Sequence, residues 1–345
     1  METFPSTRIG ELAGRGVTIR DVAAHAGVSL GTASRVLSGH PATSADARAR
    51  VTQAVTELGY RPNAQARSLR LTRTHAIGLL VSDVRNPFFA DVAHAAEQAA
   101  LGADYVTLLG NANENVEQQD RYIETFLMQR VDGVVLAPQG RGSGSLEALI
   151  ESRMPVVFVD RTVEGFDVPS VTTDSRPGIE EAIASLTAAG HSRIGYIAGP
   201  QAISTGRQRY DAFIDALPRH GIDVDPSLIT FGDFQEQSGV RAAQQLLAAP
   251  DRPTAILAAD NLMALGALAA TRQRGLHIGS DIEVVAFDDI EWLAHFDPPI
   301  SVIAQDAGAV GRCAVELLLS VVEGEEPESV VLPTTFIDRS TRTKS

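Results

Sequence analysis

In this 345-residue chain, carboxylate, guanidinium, amide and aromatic side chains recur at the ends of short apolar runs. Asn86, Phe88 and Phe89 follow AIGLLV (76–81), and Asp160 and Arg161 close and follow PVVFVD (155–160). Asp260 and Asn261 follow TAILAA (254–259), Asp288 follows VVAF, and Arg207 and Phe234 come just after two further runs. Aromatic faces stack on the apolar face of a sugar ring, while Asp, Asn and Arg make paired hydrogen bonds to hydroxyls. That mixture suits a polar small-molecule pocket. Each residue also has a plainer use. Phe88 and Phe89 suit a core or a helix start, Asp160–Arg161 an internal ion pair, and Asp288 a loop cap.

A second kind of chemistry lies near the N-terminus, in TIRDVAAHAGVSLGTASRVL (18–37). Ile19, Val22, Ala23 and Ala26 fall at i, i+3, i+4 and i+7, one apolar stripe of a helix. Thr18 is placed to cap it, with Asp21 near its positive end. Gly27 permits a sharp turn, Val28 plugs it, and Ser29 caps a second helix. In that helix Ala33, Val36 and Leu37 pack back on the first, leaving Leu30, Gly31, Thr32, Ser34 and Arg35 outward or along the edge. A helix-turn-helix places the start of its second helix in the DNA major groove. There the Arg35 fork matches O6 and N7 of guanine, although a phosphate contact suits it as well. An ordinary helical hairpin has the same spacing.

Catalytic signatures are missing. The chain contains neither G-x-x-x-x-G-K-[ST] nor G-x-S-x-G, and Gly142-Ser143-Gly144-Ser145 reads as a connector. Its eight histidines form no H-x-x-x-H pair, and a single cysteine, Cys313, excludes an internal disulfide framework. Neither a metal nor a cofactor is expected. The net charge of −14 hides an asymmetry. Residues 1–75 carry ten Arg against five acidic residues, whereas the remainder carries 19 basic and 38 acidic ones. A basic head on an acidic body fits a DNA binder whose body repels non-specific contact. No apolar run is long enough to span a membrane, and the N-terminus lacks the apolar core of a secretory signal, so a cytoplasmic location is expected.

The elements that must position these residues follow from the pattern. Residues 1–16 are polar and read as an arm. A third helix is expected from Ser44 to about Leu58, with Val51, Ala54, Val55 and Leu58 on one face and Gly59 as its stop. From Ala76 short apolar runs alternate with helices, near 88–100, 116–129 and 145–152. The alternation restarts at about Arg176 through RIGYIAGP, LITF, TAILAA and IEVVAFD. Such alternation implies parallel sheets covered by helices on both faces, here in two similar halves with a cleft between them. Ligands of such sheets bind outside the carboxyl ends of the strands. SVIAQD (301–306) reads as a last crossover strand, 306–322 as a helix and VVLPTTFIDRS (330–340) as β-like. No leucine heptads follow, which favours a dimer.

Taken together, the helix-turn-helix and the segments ELGYRPNAQARSLR (57–70), SDVRNPFF (82–89), VDGVVLAP (131–138), AADNLMALGAL (258–268) and VVAFDDIEW (284–292) resemble the LacI/GalR (lactose-repressor/galactose-repressor) family of bacterial transcription regulators. The resemblance runs from about Val17 to Asp338. It implies a small all-α helix-turn-helix head (17–61), a hinge helix and linker (62–74) and an effector-binding and dimerisation body (75–341). That body would be a periplasmic-binding-protein-like α/β fold of two doubly wound parallel-sheet subdomains, about 75–173 with 302–329 and 174–301 with 330–341. By the same resemblance, the DNA-facing residues are Thr18, Ser29, Leu30, Gly31, Thr32, Ser34 and Arg35 in the head. In the hinge they are Asn63, Ala66, Arg67, Leu69 and Arg70, with Leu69 as a wedge into the minor groove. The implied effector contacts are Asn86, Phe88, Phe89, Asp160, Arg161, Arg207, Phe234, Asp260, Asp288 and Gln305.

Two features depart from the family pattern. Leu30 and Gly31 stand where a polar pair is more common, and Asp260-Asn261 reverses the usual Asn-Asp order. The expected protein is a homodimeric repressor on a near-palindromic double-stranded operator, controlled by a sugar, pentose-like effector. The competing readings are a purine or nucleoside corepressor and, in other classes, a solute-binding protein or an enzyme on the same core.

Overall fold

The computed structural model describes residues 17–38, 40, 42–60 and 73–340. It contains two compact units, residues 1–74 and 75–345. The expectations for the arm (1–16) and for Asn63, Ala66, Arg67, Leu69 and Arg70 of the hinge lie outside the described residues.

Among the described residues the head has three helices, α1 (Ile19–His25), α2 (Leu30–Leu37) and α3 (Ala45–Leu58). Its caps are those the residue types suggest. The Asp21 carboxylate accepts from the Thr18 backbone N–H at 2.8 Å and from its hydroxyl at 2.6 Å. Ser29 accepts from the Thr32 N–H at 3.1 Å, and Ser44 from the Ala47 N–H at 3.2 Å. Gly27 (φ +62°) and Gly59 (φ +59°) take the left-handed conformation at the two turns, where a Cβ would be strained. The core is small: Val22, Ala23, Ala26, Ala33, Val51 and Ala54 are buried, with Val28, Val36, Leu37 and Val55 packed around them.

In the body, the first sheet holds β1 (Ala76–Val81), β2 (Val106–Asn111), β3 (Gly133–Leu136), β4 (Val156–Val159), β5 (Ser170–Asp174) and β11 (Val330–Pro333), in the order β11-β5-β4-β3-β1-β2 and all parallel. One core joins it to α4 (Pro87–Gly102) and α11 (Ala307–Val322) through Val92, Ala96, Ala100, Val310 and Ala314. Another core joins it to α5 (Val116–Gln129) and α6 (Gly144–Glu151) through Ile123, Phe126, Leu146 and Leu149. The second sheet holds β6 (Ile194–Ala198), β7 (Ile229–Phe231), β8 (Ala255–Ala258), β9 (Glu283–Phe287), β10 (Ser301–Ala304) and β12 (Thr335–Ile337). Their order is β12-β10-β9-β8-β6-β7, and only β12 is antiparallel. Helices α7 (Arg176–Ala188), α8 (Ser204–Arg219), α9 (Glu236–Ala248) and α10 (Asn261–Gln273) cover it.

Two features depart from the sequence-based expectation. β5, SVTTD, has one aliphatic residue among five, so no apolar run announces it. It is a strand because it fills the gap between β4 and β11. The chain also changes subdomain later than expected. β10 pairs with β9, Ser301 opposite Val285, so residues 302–304 belong to the second sheet. β11 pairs with β5, Val330 opposite Val171, so residues 330–333 belong to the first. The crossings fall at Gln305-Asp306 and at Thr334. At the second of these, the Thr334 hydroxyl donates to the Asp174 carbonyl at 2.8 Å and accepts from the Gly178 N–H at 3.1 Å.

Helices α9 and α10 cross closely because Gly239 and Gly266 face each other's backbone. A Cβ on Gly266 would lie 2.3 Å from the Glu236 carbonyl oxygen. Backbone cannot yield as a flexible side chain can, so Gly266→Val forces the helices apart. The expected loss is about 1–3 kcal/mol, read from urea unfolding of the variant against the parent chain.

Candidate functional site

The carboxyl ends of both sheets meet at one cleft, and the loops there bend in the same way. Asp160 directly follows β4 and Asp288 directly follows β9, strands that hold equivalent places in the two sheet orders. Both adopt left-handed backbone (φ +64° and +71°), as do Glu114 (+55°) and Phe234 (+62°). Such strain in non-glycine residues collects at functional sites, where it aims a side chain off the end of a strand. Asn86, Phe88, Phe89, Glu114, Asp160, Arg161, Thr205, Arg209, Phe234, Asp260 and Asp288 line one narrow cavity.

Two guanidiniums organise it. Arg161, 3% exposed, donates to both oxygens of Glu114 at 2.7 Å and to Gln139 Oε1 at 3.1 Å. Its guanidinium carbon lies 5.7 Å from the Phe89 ring centre and 5.4 Å from that of Phe234. Arg209, equally buried, stacks over Phe287 at 3.7 Å and donates to the Ala259 carbonyl at 2.7 Å. Helix caps seal the seam. Asn86 caps α4 and Asp260 caps α10, and the Asn86 amide donates to Asp260 at 3.3 Å. The Asn261 amide donates to Asn86 Oδ1 at 2.8 Å and to Asp288 at 2.9 Å. Four buried polar atoms here have no hydrogen-bond partner among the described residues: the acceptors Asp160 Oδ1 and Asn261 Oδ1, and the donors Arg161 Nε and Arg209 Nε.

Most of the effector contacts implied by the resemblance come together: Asn86, Phe88, Phe89, Asp160, Arg161, Phe234, Asp260 and Asp288. Arg207 does not, and this is a correction. It points along α8 to the Gln201 carbonyl (3.0 Å), while Arg209 takes the cavity position. Two residues along a helix is a turn of about 200°, so the face that meets the sheet carries Thr205 and Arg209 and turns Arg207 away. Gln305 stands behind the cavity wall at the crossing. Its amide donates to Asp288 at 2.5 Å, and its carbonyl accepts from Thr173, so it positions that aspartate. Glu114, Thr205 and Arg209 line the cavity without being among the contacts that the resemblance implies. Glu114 follows β2, so the strand-end rule applied uniformly would have found it. No signal in the sequence separates Arg209 from Arg207.

Burial drives the ionisation of the cluster. Asp160 and Asp288 are pushed above the usual carboxylate range by loss of water, and Asp260 is pushed to about 7 by burial, with Asp288 adding to the effect. Burial opposes the charge on Arg161, but Glu114 and Asp160 outweigh it and hold the guanidinium charged.

In the head, Leu30, Gly31 and Arg35 are exposed, and Thr32 and Ser34 are half-buried on the same helix. Ser29 and Thr18 are engaged in the caps described above. The Arg35 side chain folds back toward the Gly31 carbonyl at 3.4 Å.

A family model described as "Bacterial regulatory proteins, lacI family" matches residues 18–63. A second, "Periplasmic binding proteins and sugar binding domain of LacI family", matches residues 74–340. The chain belongs to the LacI family. Among its relatives, the HTH-type transcriptional repressor CytR of Escherichia coli K12 is 34% identical over 312 residues, 89% of this chain and 90% of that protein. The repressor PurR of Escherichia coli O139:H28 is 35% identical over 326 residues, 93% and 96% of the two chains. Among solved structures, the lac repressor dimer bound to operator and the anti-inducer ONPF superposes with a TM-score of 0.83 at 30% identity, covering 95% of this chain and 99% of that one. The CelR–cellobiose complex gives 0.72 at 33%, covering 94% and 100%. As a LacI-family member the protein is a DNA-binding transcriptional repressor and not an enzyme. Among its described residues, no helix is long and apolar enough to cross a membrane.

The cluster makes stability depend on pH. The folded chain keeps a proton on Asp260 that the unfolded chain releases from about pH 4 upward, so the protonated carboxyl's contribution is full below that and is lost as pH rises to about 7. Asp260→Asn, which retains the cap, is expected to flatten the fall of melting temperature between pH 4 and 7. The difference from the parent chain should be on the order of 4 kcal/mol at most. Parallel melting curves for the two proteins would show this Asp260 contribution to be absent.

Proposed function

We propose that this LacI-family repressor binds a near-palindromic double-stranded operator as a homodimer in the cytoplasm, and that a small polyhydroxylated effector of pentose-like size in the body's cleft controls it. Three buried polar atoms that make no hydrogen bond, the acceptor Asp160 Oδ1 and the donors Arg161 Nε and Arg209 Nε, carry the reading of the effector. All three belong to residues that line the cavity beside Phe88, Phe89 and Phe234, with Arg161 Nε 3.4 Å from Asp160 Oδ2 and Arg209 Nη2 3.9 Å from Asp160 Oδ1. A hydroxyl both gives and takes a hydrogen bond, so vicinal hydroxyls satisfy such a set, and an aromatic wall covers the ring's apolar face. The lac repressor dimer on its operator and the CelR–cellobiose complex are consistent models for the DNA-bound and sugar-bound states.

The effector acts through the seam. Asn86 reaches Asp260 and Asn261 across it, and Thr162 N–H reaches Ser204 Oγ at 2.9 Å, so a bound ligand that alters these contacts shifts one half-body against the other. A coupling of about 1–3 kcal/mol changes operator affinity 5- to 150-fold. The hinge, with Leu69 as its wedge, is the element on which that shift acts.

Two measurements test the reading. In titration calorimetry with D-ribose and related pentoses, Arg209→Ala is expected to abolish binding and Arg207→Ala to leave it within about threefold, a difference of under 1 kcal/mol. Equal losses in both variants would remove the cavity from the model. On DNA, Arg35→Ala is expected to reduce discrimination between operator and scrambled duplex by about 1–3 kcal/mol. A uniform loss on both duplexes would demote Arg35 to a phosphate contact.

A further inference from the structure

The cleft's charge goes further than its shape. Glu114, Asp160, Asp260 and Asp288 face one another across the cavity with only Arg161 and Arg209 among them. Arg161 has both terminal nitrogens taken, and Arg209, whose Nε makes no hydrogen bond, has its Nη2 against Asp160 Oδ1 at 3.9 Å. Both terminal nitrogens of Arg161 are committed, NH2 to Glu114 and NH1 to Glu114 and Gln139. One arm of Arg209 is committed to the Ala259 carbonyl. Phosphate and carboxylate groups are held in proteins by guanidinium forks or by helix N-termini. The helix N-termini here are already filled. The Asp260 carboxylate accepts from the Met263 N–H at 2.7 Å at the start of α10, where an anion would sit, and Asn86 accepts from the Phe88 N–H at 3.0 Å at the start of α4.

Resting on the sugar reading above, we propose that the cleft selects against anionic ligands and takes the free polyol, excluding its phosphate ester. Such a repressor responds to the substrate of a phosphoryl-transfer step and ignores the product. Its output reports arrival of the free compound before a kinase-type reaction consumes it. Glu114 is the specificity-determining residue, because it takes both terminal nitrogens of Arg161, while Arg209 is held against the Ala259 carbonyl and Asp160.

The test is calorimetry on the full chain with matched pairs: D-ribose and ribose 5-phosphate, D-glucose and glucose 6-phosphate, adenosine and adenosine 5′-monophosphate. The expected result is that at least one free compound binds and its ester binds about 100-fold or more weakly, as an uncompensated buried charge requires. In Glu114→Gln the ratio is expected to narrow by about tenfold or more, as Arg161 becomes available to the ester. An ester that binds the parent chain as well as its free partner overturns the charge selection while leaving the sugar reading intact. A free compound that binds without its ester in both proteins, with an unchanged ratio, removes Glu114 from the explanation. If no pair binds, the sugar reading itself fails, and the selection argued from it fails too.

Discussion

Five buried ionisable side chains and the half-buried Glu114 gather at the meeting point of two sheets, and the body is arranged around the cost of keeping them there. A buried charge without partners is strongly destabilising. The solution here is a closed circuit. Arg161 is paired with Glu114, Arg209 is stacked on Phe287, and Asp260 doubles as a helix cap. The circuit leaves Asp160 Oδ1, Asn261 Oδ1, Arg161 Nε and Arg209 Nε without hydrogen bonds. In the proposed reading, the hydroxyls of the effector supply those bonds.

The circuit depends on the two-fold repetition of the sheet. Each half ends its strands at the same edge, and each places a left-handed aspartate after the equivalent strand, Asp160 after β4 and Asp288 after β9. The late crossings of the chain serve the same geometry. Because β10 stays with the second sheet, Gln305 emerges at the seam next to Asp288 and can hold it. A crossing before β10 would have carried that glutamine into the other half.

The head follows a different economy. Its core is a handful of small aliphatic residues, so its order rests on caps and turns: Asp21 on Thr18, Ser29 and Ser44 on their helices, and two left-handed glycines. Small side chains let the helices approach closely and leave the face of α2 exposed. The N-terminal segment is basic against a strongly acidic body, which favours approach to DNA by that end of the chain.

Periodicity and residue type alone determined the helix-turn-helix and its caps, most of the alternating strands and helices, and the rule that strand ends carry the site. They do so because helical and extended chains repeat with different periods, and because caps and tight turns admit few residue types. Asn86, Asp160, Arg161, Phe234, Asp260 and Asp288 were legible on those grounds together with the family motifs. What tertiary structure decided was partnership. β5 is a strand because β4 and β11 offer it edges, although SVTTD carries no apolar run. The phase of α8 against the sheet brings Arg209 into the cleft and turns Arg207 out, a difference of two residues that local sequence does not encode. Glu114 matters because Arg161 arrives opposite it from a distant strand. Whether a charged side chain is solvated, paired or left one partner short depends on which distant segments surround it, and that is settled only when the two sheets meet.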